Sequence, residues 1–193
     1  MSWRRPGYSG ELNSGGVRLR DITLDDADLV ESWDADPEAM GEFNDFDMAR
    51  GPIDREALTR GPLRNEHNGQ LIVERVADGR PIGSVSWHRV RYGPNAESGA
   101  WNIGVALIPD ARGKGHGAEA QAQVAEYLFA NTTVNRVEAQ TDIDNVAEQR
   151  SLEKAGFRRE GVARGSQFRA GAYHDLVTYA RLRGDPPGRA PSG

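Results

Sequence analysis

The chain has 193 residues, a formal net charge of −5 and no cysteine. The absence of cysteine excludes disulfide frameworks, thiolate zinc sites and cysteine nucleophiles, and the acidic balance argues against general nucleic-acid binding. The hydrophobic fraction is 37% and the mean hydropathy is −0.66, and no stretch approaches the roughly 20 apolar residues of a membrane span. The N-terminal residues lack the apolar core of a secretory signal, so we expect a cytoplasmic protein without a membrane partner.

The predicted elements, taken in chain order, describe one mixed domain. The Gly- and Ser-rich residues 1–16 are expected to be flexible and the Pro-rich residues 184–193 to form a disordered tail. Alternating apolar and polar residues predict strands at 17–22, 71–77, 81–92, 100–108, 134–142, 158–168 and 172–183. Helices are predicted after Thr23, from the end of the 112–117 loop to about Ala130 and over 145–155, with short helical pieces in 37–69. Hairpins followed by two strand–helix units predict an α/β fold of mixed α+β type.

A glycine-rich loop between a predicted strand and a predicted helix is the most informative segment. Residues 112–117 read Arg-Gly-Lys-Gly-His-Gly. Glycines at alternate positions let backbone N–H groups approach a ligand, and the following helix adds its positive dipole end. With the basic Arg112 and Lys114, the loop predicts an anion site for a phosphate or pyrophosphate.

Two common phosphate loops fit this segment poorly. A Walker A loop needs Ser or Thr after its lysine, whereas Gly115 follows Lys114. A dinucleotide fingerprint is superficially present at Gly115, Gly117 and Ala120, with Glu138 about 20 residues on. That fingerprint belongs to a parallel strand–helix–strand unit, however, and a hairpin precedes this loop. A nucleotide-dependent oxidoreductase therefore stays open as a rival interpretation.

The loop and the segment after it resemble the GNAT acetyltransferase superfamily. The family pattern [QR]-x-x-G-x-[GA] is matched by Arg112, Gly115 and Gly117, and an Asn that opens a helix ending in Glu-Lys-x-Gly-Phe is matched from Asn145 to Phe157. The C-terminal residues resemble the RimJ/RimL-like subgroup, which acetylates the N-terminal amine of ribosomal proteins. The resemblance covers about residues 17–183, taken as the acetyltransferase domain.

The resemblance implies a GNAT-like, mostly antiparallel sheet in which the parallel strands 101–108 and 134–142 splay apart. It implies acetyl-CoA as cosubstrate, with the pantetheine between these strands and the pyrophosphate on the glycine-rich loop, and no metal is expected. The residues implied for acetyl-CoA are Val105, Ala106, Leu107, Arg112, Gly113, Lys114, Gly115, His116, Gly117 and Asn145.

The usual proton-handling positions of the family depart from its pattern in this chain. Asn102 stands where many relatives have Glu, and Leu152 stands where many have Tyr. Glu138 and Glu148 are the first catalytic candidates, because both are expected to flank the cleft between the splayed strands. We otherwise expect catalysis to depend more on positioning and amine desolvation than on a strong base.

The acceptor is expected to be a primary amine, either a protein N-terminus or a small molecule. Its predicted contacts combine acid with aromatic side chains and lie at Trp33, Phe43, Asp45 and Phe46. The alternative function is a non-catalytic CoA-binding or regulatory module, which the departures at Asn102 and Leu152 motivate. Whether the chain forms a homodimer stays open.

Overall fold

The structure is a computed structural model and describes residues 12–13, 15–44, 46, 48 and 51–186. Its strands are β1 Leu12–Asn13, β2 Val17–Asp21, β3 Asn68–Arg75, β4 Pro81–Arg91, β5 Gly99–Leu107, β6 Arg136–Asp142, β7 Arg158–Arg169 and β8 Ala172–Leu182. Its α-helices are α1 Ala27–Ala35, α2 Pro37–Met40, α3 Arg55–Arg60, α4 His116–Asn131 and α5 Val146–Lys154. Short 3₁₀ turns lie at Leu24–Asp26, Ala96–Ser98 and Pro109–Ala111.

The described strands form one sheet in the order β1-β2-β3-β4-β5-β6-β8-β7. Neighbouring strands are antiparallel except β5 and β6, which are parallel. This parallel pair is in register only at Trp101 with Val137 and at Asn102 with Glu138, although β5 continues to Leu107 and β6 to Asp142. The two strands therefore separate after their first contact, which confirms the predicted mixed sheet with a splayed parallel pair.

The main core lies on the face of the sheet that α4 and α5 cover. It packs Val124 and Leu128 of α4 and Leu152 of α5 against sheet residues that include Trp87 and Val137. Burial of this apolar area is the main stabilising contribution to such a layer. Leu152 is fully buried in it, so the position where relatives carry Tyr belongs to the core in this chain.

A smaller apolar cluster covers the opposite face near β2 and β3. Ile22, Val30 and Ile72 form it, with Trp33 and Leu58 packed against them. The helical turn that begins after Thr23, as predicted, has a capping box, in which the Thr23 N–H donates to Asp26 Oδ2 at 2.8 Å. α1 to α3 thus cover only part of this face of the sheet.

Several element boundaries differ from the sequence prediction by one to three residues. β3 begins at Asn68 rather than at residue 71, because Gly69 passes beneath the Trp87 ring, where a Cβ atom would lie 2.1 Å from it. Sequence alternation starts only at Leu71, so it did not indicate this extension. β6 begins at Arg136 rather than at residue 134, and β1 lies inside the segment expected to be flexible.

Candidate active site

A cavity of about 580 Å³ occupies the gap where β5 and β6 separate. On the α4 and α5 side it is lined by the glycine-rich loop and by one side of α5. On the other side it is lined by residues Met40 to Asn44 and by Phe46. A single cavity thus reaches both faces of the sheet through the splay.

The edge of β5 that faces this cavity continues beyond Asn102, the last β5 residue that pairs with β6. The Ile108 N–H donates to Ile82 O of the strand on the other side, at 3.0 Å. Because alternate residues of a strand direct their backbone groups to opposite neighbours, Val105 and Leu107 direct theirs towards the gap and Ala106 towards β4. Val105, Ala106 and Leu107 all line the cavity, and the two outward residues offer strand-like hydrogen bonds to an extended ligand.

The glycine-rich loop brings the positive end of α4 to the cavity. Gly113, Gly115 and Gly117 all line it, and Gly113 and Gly115 have φ of +72° and +86°. Gly115 is the N-cap of α4 in a left-handed conformation, which glycine adopts without steric cost. The first-turn N–H groups of α4 have no partner within the helix and, with its dipole, favour an anion here.

The basic and imidazole side chains of the loop bind the protein itself. Arg112 lines the cavity, but its Nε donates to Leu107 O at 2.9 Å and its Nη2 to Ala39 O at 2.5 Å. Lys114 Nζ donates to Asp110 O at 2.7 Å, and His116 Nδ1 lies 3.2 Å from Ala111 O. Lys114 and His116 are not among the cavity-lining residues, so the loop faces the cavity with its glycines and with Arg112.

The N-terminus of α5 contributes Asn145 and Glu148 to the cavity wall. Asn145 Oδ1 accepts from the Glu148 N–H at 3.2 Å, which is one of the two hydrogen bonds of a capping box. The Glu148 carboxylate does not complete the box; it accepts from the Gln121 side-chain amide of α4. Gln121 Oε1 in turn accepts from Ser151 Oγ at 2.9 Å. Burial raises the pKa of Glu148 to about 7 against the opposing effect of the Gln121 hydrogen bond.

Glu138 lies in a different place from the one expected. It sits in the paired part of the two strands, opposite Asn102, and is not among the cavity-lining residues. Its buried carboxylate accepts from Arg136 Nε and from the Tyr92 hydroxyl, each at 2.6 Å. The expectation that Glu138 flanks the cleft is wrong, because the strands separate only beyond its position.

Not all of the four residues expected to contact the acceptor line the cavity. Phe43 and Phe46 line the cavity, whereas Trp33 packs against the apolar cluster beneath α1. Asp45 lies outside the described residues. A cavity wall of aromatic side chains is therefore present on the side of the sheet away from α4.

Comparisons with known proteins agree with this geometry. An acetyltransferase (GNAT) domain family model matches residues 17–158. A probable N-acetyltransferase of Bacillus subtilis, YjcK, is 37% identical over 90% of this chain and 98% of its own length.

The chain belongs to the GNAT acetyltransferase family.

Solved structures with the same fold include RimJ/RimL-type enzymes. The ribosomal-protein-S5-alanine acetyltransferase of Vibrio fischeri superposes with a TM-score of 0.72 at 17% identity, covering 92% of this chain and 98% of its own. A spermidine N-acetyltransferase of Vibrio cholerae, solved with CoA and spermine, superposes with a TM-score of 0.73 at 18% identity, covering 89% and 98%. These likenesses confirm the fold of this acetyltransferase.

Several cavity-lining residues of the acetyltransferase are outside the set assigned to the site from the sequence. They are Gln140, Asp142, Arg150, Ser151, Lys154 and Gln167. Arg150, Ser151 and Lys154 follow Ala147 on α5 at intervals of three or four residues. The helical periodicity of α5 from Asn145 onward therefore indicates that they share one helix face. Gln140 and Asp142 are two residues apart on β6, so their side chains share one face of the sheet. They line the cavity only because β5 and β6 separate beside them.

In the part of the chain that the structure describes, no three His, Asp or Glu side chains come together as a metal site requires. No helix within that part is both long and apolar enough to cross a membrane.

Proposed function

We propose that the chain transfers an acetyl group from acetyl-CoA to a primary amine, with the donor entering from the α4 and α5 side and the amine from the opposite side. The observation that supports this most directly is the cavity itself. The cavity is lined by the edge of β5 at Val105 and Leu107. It reaches the N-terminus of α4 on one side of the sheet and Phe43 on the other.

The donor side has the features that acetyl-CoA requires. An extended pantetheine arm carries amides that can pair with the open edge of β5, as a further strand would. A pyrophosphate suits the glycine-rich loop at the start of α4. Arg150 and Lys154 line the same side and add positive charge for phosphate groups, whereas Arg112 is held by carbonyl oxygens.

Glu148 is the group that we assign to proton transfer. The neutral amine attacks the thioester carbon, the C–S bond breaks, and one proton must leave the nitrogen while one must reach the sulfur. The pKa of the Glu148 carboxylate is about 7. A group whose pKa lies near the working pH can both accept and return a proton efficiently. Backbone N–H groups of β5 supply hydrogen bonds for the carbonyl oxygen in the transition state.

The acceptor is a protein N-terminus or a small amine, in line with what the named relatives acetylate. Phe43 and Phe46 line the cavity, and this aromatic wall can contact the carbon chain or side chain next to the amine. Aromatic faces also attract a cationic group elsewhere on the acceptor.

The test is release of CoA thiol by the purified chain with acetyl-CoA and a panel of amines. The panel contains spermidine, n-hexylamine and short peptides that begin with Ser, Ala or Thr. We expect turnover with at least one amine and thermal stabilisation by acetyl-CoA and CoA but not by NAD or NADP. Stabilisation by acetyl-CoA without thiol release from any amine would support the CoA-binding module instead. Stabilisation by NADP alone would reject both.

A further inference from the structure

Residues Glu38 to Asn44, which we call the cover segment, form one wall of the cavity with little secondary structure of their own. Only the four-residue α2 and a turn at residues 42–44 order the segment. Met40, Gly41, Glu42, Phe43 and Asn44 all line the cavity. A wall built on so short a helix depends on contacts from the rest of the fold to hold its shape.

Two arginines from distant parts of the chain supply such contacts through backbone carbonyls. Arg112 Nη2 donates to Glu38 O at 3.1 Å and to Ala39 O at 2.5 Å. Arg169, at the end of β7, donates from Nη1 to Glu42 O at 2.6 Å. Its guanidinium carbon lies 5.3 Å from the centre of the Phe43 ring. The cover segment is thus held at both ends.

Arg169 is the more informative of the two because it lies behind the wall. Its side chain is 7% exposed and it is not among the cavity-lining residues. Its Nη2 forms an ion pair with Asp142, whose side chain is 1% exposed. A buried charge needs such a partner, and the planar fork of arginine lets one side chain bind Asp142 and Glu42 O together.

His174 fixes the same arrangement from β8. Its Nδ1 lies 3.1 Å from Asp142 Oδ2, and its Nε2 lies 3.2 Å from Arg169 O. Hydrogen bonds from the Asp144 N–H and from Arg169 outweigh the effect of burial and lower the pKa of Asp142. The carboxylate is therefore available as a fixed anchor for the guanidinium at the end of β6.

We propose that Arg169 is a positioning residue for the acceptor amine, which acts by holding Glu42 and Phe43 of the cover segment over the side of the cavity away from α4. This inference rests on the proposed function, because it assigns that side of the cavity to the acceptor. The contacts of Arg169 described above are with Glu42, Phe43, Asp142 and His174, and none of these residues belongs to the glycine-rich loop or to α5, which form the donor side. Loss of Arg169 should therefore affect binding of the amine and leave binding of acetyl-CoA intact.

The test compares Arg169→Ala and Arg169→Lys with the wild type, using the amines of the panel above. For Arg169→Ala we expect the KM for the amine to rise about tenfold or more, because small displacements of a positioning group have large kinetic effects. We expect kcat to change less than threefold and the Kd for acetyl-CoA, measured calorimetrically, to change less than twofold. Arg169→Lys should lie in between, because one ammonium cannot span both partners.

Arg181→Ala is the matched control for losing a buried arginine. Arg181 also lies in the C-terminal hairpin, is 2% exposed and pairs with Glu126 of α4 rather than with the cavity wall. It should lower the melting temperature without raising the KM for the amine. Hydrogen exchange at the Asn44 N–H, which donates to Gly41 O at 3.0 Å, should accelerate in Arg169→Ala and not in Arg181→Ala.

Where Arg169→Ala is too unstable to assay, Arg169→Gln keeps a hydrogen-bond donor for Asp142 and loses the second contact, with Glu42 O. We expect this variant to raise the KM for the amine severalfold. An unchanged KM in a folded variant, or an equal loss of acetyl-CoA affinity, would overturn the role of Arg169 and leave the proposed function standing. A wild type that acetylates no amine in the panel would instead overturn the proposed function and this inference with it.

Discussion

The Gln121 side-chain amide of α4 donates to the carboxylate of Glu148 on α5, at the wall of the cavity. Gln121 is itself 1% exposed and also accepts from Ser151 Oγ. A buried amide with both ends bonded fixes the orientation of its partners. Glu148 is therefore held towards the cavity in one position while its environment raises its pKa to about 7.

Replacement of Glu148 by Gln should separate proton transfer from binding. Gln has nearly the same size and can still bond to Gln121, but it cannot take up a proton. We expect kcat/KM to fall by roughly 10²- to 10⁴-fold, the usual contribution of a positioned acid or base, with an unchanged Kd for acetyl-CoA. The wild-type pH profile of kcat/KM should contain a titration step near pH 7, because Glu148 must be ionised to accept the proton. The variant should lose this step and keep only the rise that deprotonation of the free amine causes.

Glu138→Gln is the control for that experiment. It also neutralises a buried carboxylate of β6, but one that binds Arg136 and Tyr92 away from the cavity. It should lower stability, since it leaves Arg136 without its buried partner, and it should keep the titration step. A Glu148→Gln variant within threefold of wild-type activity would mean that positioning and amine desolvation suffice.

The same carboxylate should make the folded state less stable as the pH rises. The pKa of Glu148 is raised from 4.5 to about 7 by burial, so the folded state binds this proton more tightly than the unfolded state. Between about pH 4.5 and pH 7 the unfolded state releases the proton first, and the free energy of unfolding falls with pH. The total loss from this group is about 3 kcal/mol.

Denaturant unfolding of wild type and Glu148→Gln at pH 5 and pH 8, without ligand, checks this sign. The variant should be more stable relative to the wild type at pH 8 than at pH 5, because other titrating groups cancel in the difference. A difference that stays constant with pH would contradict the raised pKa of Glu148.

The sequence was most informative where local patterns decide the structure. Alternation located the strands to within a few residues, and the glycine-rich loop and the Asn145 cap lie where their motifs indicate. Their partners are close along the chain or are backbone groups of the same turn. The C-terminal hairpin at Gly171 was predicted for the same reason.

The sequence was least informative about contacts between distant segments. Arg112 was assigned to phosphate, but two of its acceptors, Glu38 O and Ala39 O, lie more than 70 residues away in the chain. No local pattern indicates a role for Arg169, because its acceptor Glu42 O is 127 residues away. Glu138 was misplaced because the residue at which β5 and β6 separate depends on the packing of the sheet, and no local pattern marks it.

Gly115→Ala should damage the loop in both conformation and function. Gly115 has φ of +86° and ψ of −9°, a left-handed conformation that costs an alanine about 1–2 kcal/mol. We expect the melting temperature to fall by several degrees. We also expect the affinity for acetyl-CoA to fall about tenfold, because the backbone N–H groups that we assign to the pyrophosphate change direction. Calorimetric titration with acetyl-CoA measures the second effect.

Gly117→Ala is the matched control two residues later. Gly117 lies inside α4, where Ala is favoured over Gly by up to ~1 kcal/mol. Its Cβ atom would lie 3.3 Å from Ser151 Oγ, a contact that a small movement of the hydroxyl relieves. This variant should keep its stability and bind acetyl-CoA within a few-fold of the wild type. Equal losses in both variants would show that any side chain on the loop is harmful, irrespective of φ.

The turn that joins β7 and β8 offers a stabilising substitution next to Arg169. Ala170 and Gly171 have φ of +49° and +77°, the pattern of a two-residue type I′ hairpin turn, which favours Asn or Gly at its first position. Ala170 is exposed, and an alanine in this conformation costs about 1–2 kcal/mol, part of which the greater freedom of glycine in the unfolded chain offsets. We therefore expect Ala170→Gly to raise the free energy of unfolding by about 0.5–1 kcal/mol.

Ala172→Gly tests whether that gain comes from the backbone conformation. Ala172 is exposed as well and is the first residue of β8. In an extended strand, glycine only loses more conformational freedom on folding than alanine does. The free energy of unfolding of this variant should therefore fall by about 0.5–1 kcal/mol. Differential scanning calorimetry should thus show opposite shifts in melting temperature, each of a few degrees or less for a chain of this length. Shifts of the same sign would mean that side-chain contacts of the hairpin, rather than the positive φ of Ala170, control its stability. If Ala170→Gly also leaves the KM for the amine unchanged, the ion pair between Arg169 and Asp142 is sufficient to place Arg169 whichever residue forms the turn.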